Sequence, residues 1–241
     1  MSTLWTFGGT YTADYTNEDT PVNKNFEEYK KIKDLEHVDM WPTILANRMK
    51  FDLVNTSRHV TSNYQIFQDF CDKSHLIKKD DVVLIEWVDF KNYRVAENNE
   101  FVNLEPNKKY DLDSVSQSSI DEMFKNRQQH IWLTELYRWI NGINMLALEV
   151  GFKFFIWNAE DRDMFYARHK DMPKYDYILL CPNSTTALID YLVSVAGTTI
   201  EIETEGKIKD KHFGRRGHET FSKLLFYQVV YSELGKGNTL I

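Results

Sequence analysis

The sequence predicts an α/β fold with a mostly parallel central sheet, and three observations carry that prediction. Short apolar runs of strand length alternate with longer stretches of helical spacing. The strongest run, Val82-Val83-Leu84-Ile85-Glu86-Trp87, is too apolar to leave either face to water, as expected of a strand covered by helices on both sides. Glycine and proline number only 10 and 5 in 241 residues, so loops do not dominate the chain.

Leu4–Phe7 reads as the first strand, closed by Gly8-Gly9, after which the chain is polar from Thr10 to Asn25. Trp41-Pro42 opens a short helix through Met49, with proline in the first turn where its missing N–H is harmless. Phe51–Val54 is the second strand. Ser62 is an N-cap for a helix over 62–76, whose Tyr64, Phe67, Phe70 and Cys71 fall at helical spacing. The strand 82–87 follows. Residues 89–117 are a polar insertion or arm, in which Phe101, Val102, Leu104 and Tyr110 lack an obvious core role. A long helical stretch over 118–150 offers Ile120, Phe124, Ile131, Leu133, Leu136 and Leu146 to a buried stripe, with an interruption expected near Gly142. Lys153–Trp157 and Tyr177–Cys181 are further strands, Thr185–Val195 is helical, and a last helix covers about Glu219–Leu234. One domain over 1–234 is expected, followed by a tail over 235–241.

Composition removes several function classes. Hydrophobic residues at 42% and charged residues at 27% are ordinary globular usage and exclude a disordered or collagen-like chain. A net charge of −7 opposes wholesale binding to a phosphate backbone; the one local basic cluster is Lys207, Lys209, Lys211, Arg215 and Arg216. Cys71 and Cys181 are too few for a disulfide framework and fit a reducing compartment. No stretch of eighteen apolar residues could span a membrane, and the opening Met1–Gly8 has neither a basic nor an apolar signal region, so no signal peptide is expected.

Two segments carry chemistry. Phe7-Gly8-Gly9-Thr10-Tyr11-Thr12 follows the first strand, at the carboxyl end where α/β sheets bind ligands. Asp210-Lys211-His212 leads through Gly214 and His218 into the last helix; an Asp two residues before a His can hold one ring nitrogen and leave the other as a base. His59 is a second candidate base. Glu160, Asp161 and Asp163 match no ligand spacing, so neither a metal nor another cofactor is expected.

Together these segments resemble the SGNH/GDSL hydrolases, in which Gly-Asp-Ser follows the first strand and an Asp-x-x-His or Asp-x-His segment precedes the last helix. Trp41-Pro42-Thr43-Ile44-Leu45-Ala46, then Phe51–Asn55, then Ser62-Asn63-Tyr64 is similar to the WPxxLA…xxNLGxxGxSND run of phage-encoded members. Val83–Trp87 resembles the family's third strand and Phe154–Ala159 its fourth. The resemblance implies a three-layer flavodoxin-like fold, its mostly parallel sheet flanked by helices.

The resemblance also implies a degraded catalytic set. The nucleophilic serine falls on Thr10, whose extra methyl crowds attack, and the preceding Asp falls on Gly9. The oxyanion glycine falls near Val60, beside Asn63, and a Cβ there obstructs close backbone approach. The third block, Gly-x-Asn-Asp, falls on Glu86-Trp87-Val88-Asp89, so its amide donor is missing. Losing one oxyanion donor alone costs about a hundred- to a thousandfold in rate. Asp210 and His212 alone stay in register.

Three functions follow as expectations. The first is a non-catalytic SGNH-like structural component of a tailed-bacteriophage virion, in the neck or tail, assembled in the host cytoplasm and bound to other virion proteins. Its contacts would come from Phe101, Leu104 and Tyr110 in the insertion and from Leu240 and Ile241 in the tail. The second is an active esterase or deacetylase on host-surface polysaccharide, with Thr10 as nucleophile, His212 as base and Asp210 as orienter. The third is a carbohydrate-binding module whose crevice is lined by aromatics such as Tyr11 or Trp87.

Overall fold

Four of the apolar runs pair into one sheet: β1 (Thr3–Phe7), β2 (Asp52–Asn55), β3 (Val82–Trp87) and β6 (Lys153–Asn158). All pairings are parallel and the order is β2-β1-β3-β6. The computed structural model describes residues 1–9, 12–13, 39–58, 61–88, 93–97, 100–104, 109–112, 116–125, 129–158 and 214–234. Its helices are α1 (Trp41–Met49), α2 (Asn63–Ser74), α3 (Gln117–Lys125), α4 (Gln129–Val150) and α5 (Arg215–Leu234).

The period-2 alternation of the strands divides the core into two layers. On one face Leu4, Val82, Leu84, Phe155 and Trp157 pack with Trp41 and Leu45 of α1 and Phe221, Leu225 and Val229 of α5. On the other, Trp5, Phe7, Val83, Ile85, Trp87, Phe154 and Ile156 pack with Ile66 and Phe70 of α2 and Leu136, Ile140, Ile143 and Ala147 of α4. Right-handed crossovers explain the split. The step from β1 out to β2 runs one way along the sheet, and the steps to β3 and β6 run the other. Reversing direction moves the connecting helix to the opposite face, as α1 and α2 do here. The point of reversal lies between β1 and β3.

Local signals act as expected at two helices. Ser62 caps α2, its hydroxyl accepting from the Gln65 N–H at 3.3 Å. Pro42 sits in the first turn of α1, and Lys50 closes that helix in the left-handed conformation at φ 57°. At the amino end of the sheet, buried Asp81 accepts from Thr3 N, Trp5 Nε1 and Lys78 N at 2.8–2.9 Å, tying β1 to the turn before β3.

The structure departs from expectation in four places. The insertion contains an antiparallel hairpin, β4 (Tyr93–Glu97) with β5 (Glu100–Leu104), in a sheet of its own. Leu104 does have a core role, being fully buried, so it is not exposed to a partner. The long helical stretch is described as α3 and α4, with 126–128 outside the described residues, and α4 runs unbroken through Gly142, where an interruption was expected. The last helix begins at Arg215, a turn earlier than expected. The expected strand over 177–181, the helix over 185–195 and the tail over 235–241 lie outside the described residues.

Candidate functional site at the carboxyl ends of β1 and β3

Where the strand order reverses, between β1 and β3, none of the described helices joins the two strands directly, and the crevice beyond their carboxyl ends is where open α/β sheets bind ligands. Gly8 and Gly9 leave β1 there. The Gly9 carbonyl accepts from Thr12 N at 3.1 Å and Ala13 N at 3.0 Å, which holds Thr12 and Ala13 against the end of β1; Thr10 lies outside the described residues. The Gly8 carbonyl accepts from Arg58 N at 3.1 Å, so the segment after β2 follows the end of β1.

The crevice is filled from the β3 side. Glu86 pairs in register with Trp157 on one flank and lies against Gly8 on the other. Glu86 is 2% exposed, and its Oε2 accepts the Thr12 hydroxyl proton at 2.6 Å. A Cβ on Gly8 would lie 2.6 Å from Glu86 Cβ, and one on Gly9 would overlap Val88 Cγ1. Both glycines are thus required by close approach. Asn55 closes the other side, donating from Nδ2 to the Thr12 carbonyl at 3.0 Å and accepting from Ser57 N at 3.0 Å.

Two positions of the oxyanion region are engaged with each other. Asn63 Nδ2 donates to the Val88 carbonyl at 2.9 Å, and Val88 N donates to Asn63 Oδ1 at 2.8 Å. The side-chain amide pairs with β3 as a strand's backbone would, and the Val88 N–H is not presented to a ligand. Gly9 offers its carbonyl inward to the turn. Thr10, Val60, Asp89, Asp210, His212, Leu240, Ile241 and the candidate base His59 lie outside the described residues, as does Tyr11. Phe101 pairs with Ala96 across the hairpin, and half-buried Tyr110 donates its backbone N–H to Gln117 Oε1 at 2.8 Å. Trp87 is fully buried against Trp139, their rings 6.4 Å apart, and so does not line the crevice.

Sequence reasoning missed Glu86, Thr12 and Asn55. It also gave no role to His218, which is buried on α5 and accepts the Trp41 N–H at Nδ1, 3.2 Å away. This bond joins α5 to the amino end of α1. Among the described residues no three His, Cys, Asp or Glu side chains gather as a metal site requires, and no helix is long and apolar enough to cross a membrane.

One nucleophilic group lies away from the crevice. Cys71 on α2 is a free, exposed thiol. Partial burial of the sulfur and then the neighbouring Asp72 carboxylate push its pKa up, leaving little thiolate near neutrality. In a Cys181→Ser background, Cys71 is expected to react with a disulfide reagent at pH 7.5 more slowly than an unstructured cysteine peptide, accelerating as pH rises. A rate at or above the peptide's would contradict this.

Among the described residues, the geometry defines a doubly wound α/β protein in which Glu86, Thr12 and Asn55 occupy the space at the carboxyl ends of β1 and β3. The sequence matches no family model and no curated protein.

Proposed function

We propose that the chain is a non-catalytic structural component of a tailed-bacteriophage virion, in the neck or tail, with the three-layer flavodoxin-like shape of the SGNH hydrolases. The order β2-β1-β3-β6, with helices on both faces, agrees with that shape. The observation that carries the non-catalytic reading is the filled crevice. Glu86 stands where the SGNH pattern has glycine, and its buried side chain occupies the space beside Gly8 and Gly9. The Val88 N–H, nearest to where an oxyanion donor would be wanted, is bonded to Asn63. The virion assignment rests on the likeness of the Trp41–Tyr64 run to phage-encoded members.

The purified chain should show no turnover of short acyl esters or acetylated sugars beyond that of its Thr10→Ala and His212→Ala variants. Robust hydrolysis abolished by both substitutions would establish the esterase instead. Antibody labelling of purified particles from the encoding phage tests the location: signal at the neck or tail is expected, and particles without the chain would overturn it.

A further inference from the structure

We propose that α4 is a self-association surface on which two copies of this chain pack antiparallel about a two-fold axis lying midway between Gly142 and Met145. The inference stands apart from the functional reading above, since an enzyme could pair through the same helix.

One side of α4 is committed to the core through Leu136, Ile140, Ile143 and Ala147. The opposite side carries a narrow stripe at helical spacing, Arg138, Gly142, Met145 and Glu149, and all four are exposed. Met145 is 70% exposed and Leu148, beside the stripe, 68%. Gly142 is the weakest helix former short of proline, placed mid-helix, where an added Cβ would meet nothing within 4 Å. Among the described residues, neither a turn nor a close approach requires it. A glycine beside an exposed methionine is what a second helix needs in order to come near: a hole next to a knob.

The stripe is complementary to itself. Arg138 lies one turn before Gly142, and Glu149 one turn after Met145. An antiparallel partner centred between Gly142 and Met145 therefore sets each Met145 on the other copy's Gly142. The same operation sets each Arg138 against the other copy's Glu149. This is the isologous arrangement a two-fold dimer requires. The two charges stand about 16 Å apart along the helix axis, so both pairs flank the apolar centre and have room to meet at a shallow crossing angle. A parallel partner would oppose like with like. The charge pattern thus selects a second copy and one orientation of it.

Sedimentation over a concentration series up to about 100 µM tests this on the full chain. The native chain should dimerise, and Met145→Glu should leave it monomeric, with the melting temperature that the native chain shows when diluted to its own monomer, because the side chain is exposed there. Arg138→Glu and Glu149→Arg should each weaken the dimer by about tenfold. The double swap, which restores opposite charges across the axis, should return affinity to within about threefold of native. A chain monomeric throughout, as expected if a different protein occupies this face, overturns the proposal. So does a dimer indifferent to Met145→Glu, or single reversals that the double swap does not rescue.

Discussion

Trp41→Ala is expected to destabilise the chain by about 3–5 kcal/mol, lowering its melting midpoint by roughly 6–20 °C. Trp41 is fully buried where α1, α5 and the sheet meet. Its ring lies edge-on to Phe221 at 5.0 Å and to Trp157 at 6.1 Å, and those two rings are 4.7 Å apart. Truncation removes the largest side chain that α1 puts into this layer and leaves a cavity that two fixed aromatic rings cannot collapse to fill. The backbone bond from Trp41 N to His218 survives the substitution, so the loss reports packing alone. Trp41→Phe keeps an edge-on ring and should cost about 1–3 kcal/mol. Denaturant titration with an unchanged slope is the measurement. A cost below about 1 kcal/mol for the alanine variant would mean that α1 and α5 do not share this core.

The residues most easily read were those whose neighbours in sequence decide their structure. Trp41-Pro42 and the run Val82–Trp87 gave element boundaries to the residue, because a first-turn proline and an unbroken apolar strand leave few alternatives. The hairpin was harder, since its strands carry mixed polar residues on both sides; its one signal was the pair Asn98-Asn99 at two-residue loop spacing. Gly142 misled the reading of the long helix because a glycine penalty is local, while Ile140 and Ile143 anchor that turn to the core.

The site divides in the same way. Gly8-Gly9 was legible as a strand-end turn. Glu86 was not, because it sits inside an apolar strand and its partner Thr12 lies 74 residues away in sequence. The Asn63–Val88 pairing also needs the fold, since nothing local tells an amide to act as a strand edge. The resemblance to SGNH hydrolases named positions, but only the packing showed what fills the space between them.

Gly9→Asp, the residue the SGNH pattern carries at that position, is expected to cost about 3 kcal/mol or more. Backbone strain is not the reason: among the described glycines only Gly151 has a positive φ, at 87°. Contact is the reason. Any Cβ at position 9 overlaps Val88 Cγ1 and lies 3.3 Å from Glu86 Oε1, so an aspartate adds a carboxylate beside a buried one as well as a clash. Gly9→Ala isolates the steric part and should cost about 1–3 kcal/mol. Val88→Ala alone removes two methyl groups and should cost about 1–2 kcal/mol. The double variant Gly9→Ala/Val88→Ala should be more stable than the sum of the two losses by at least about 1 kcal/mol, because the shortened side chain vacates the space the new methyl needs. Additive losses would show that Val88 does not close the crevice over Gly9. A tolerated Gly9→Asp would show that the crevice can admit the pattern it lacks.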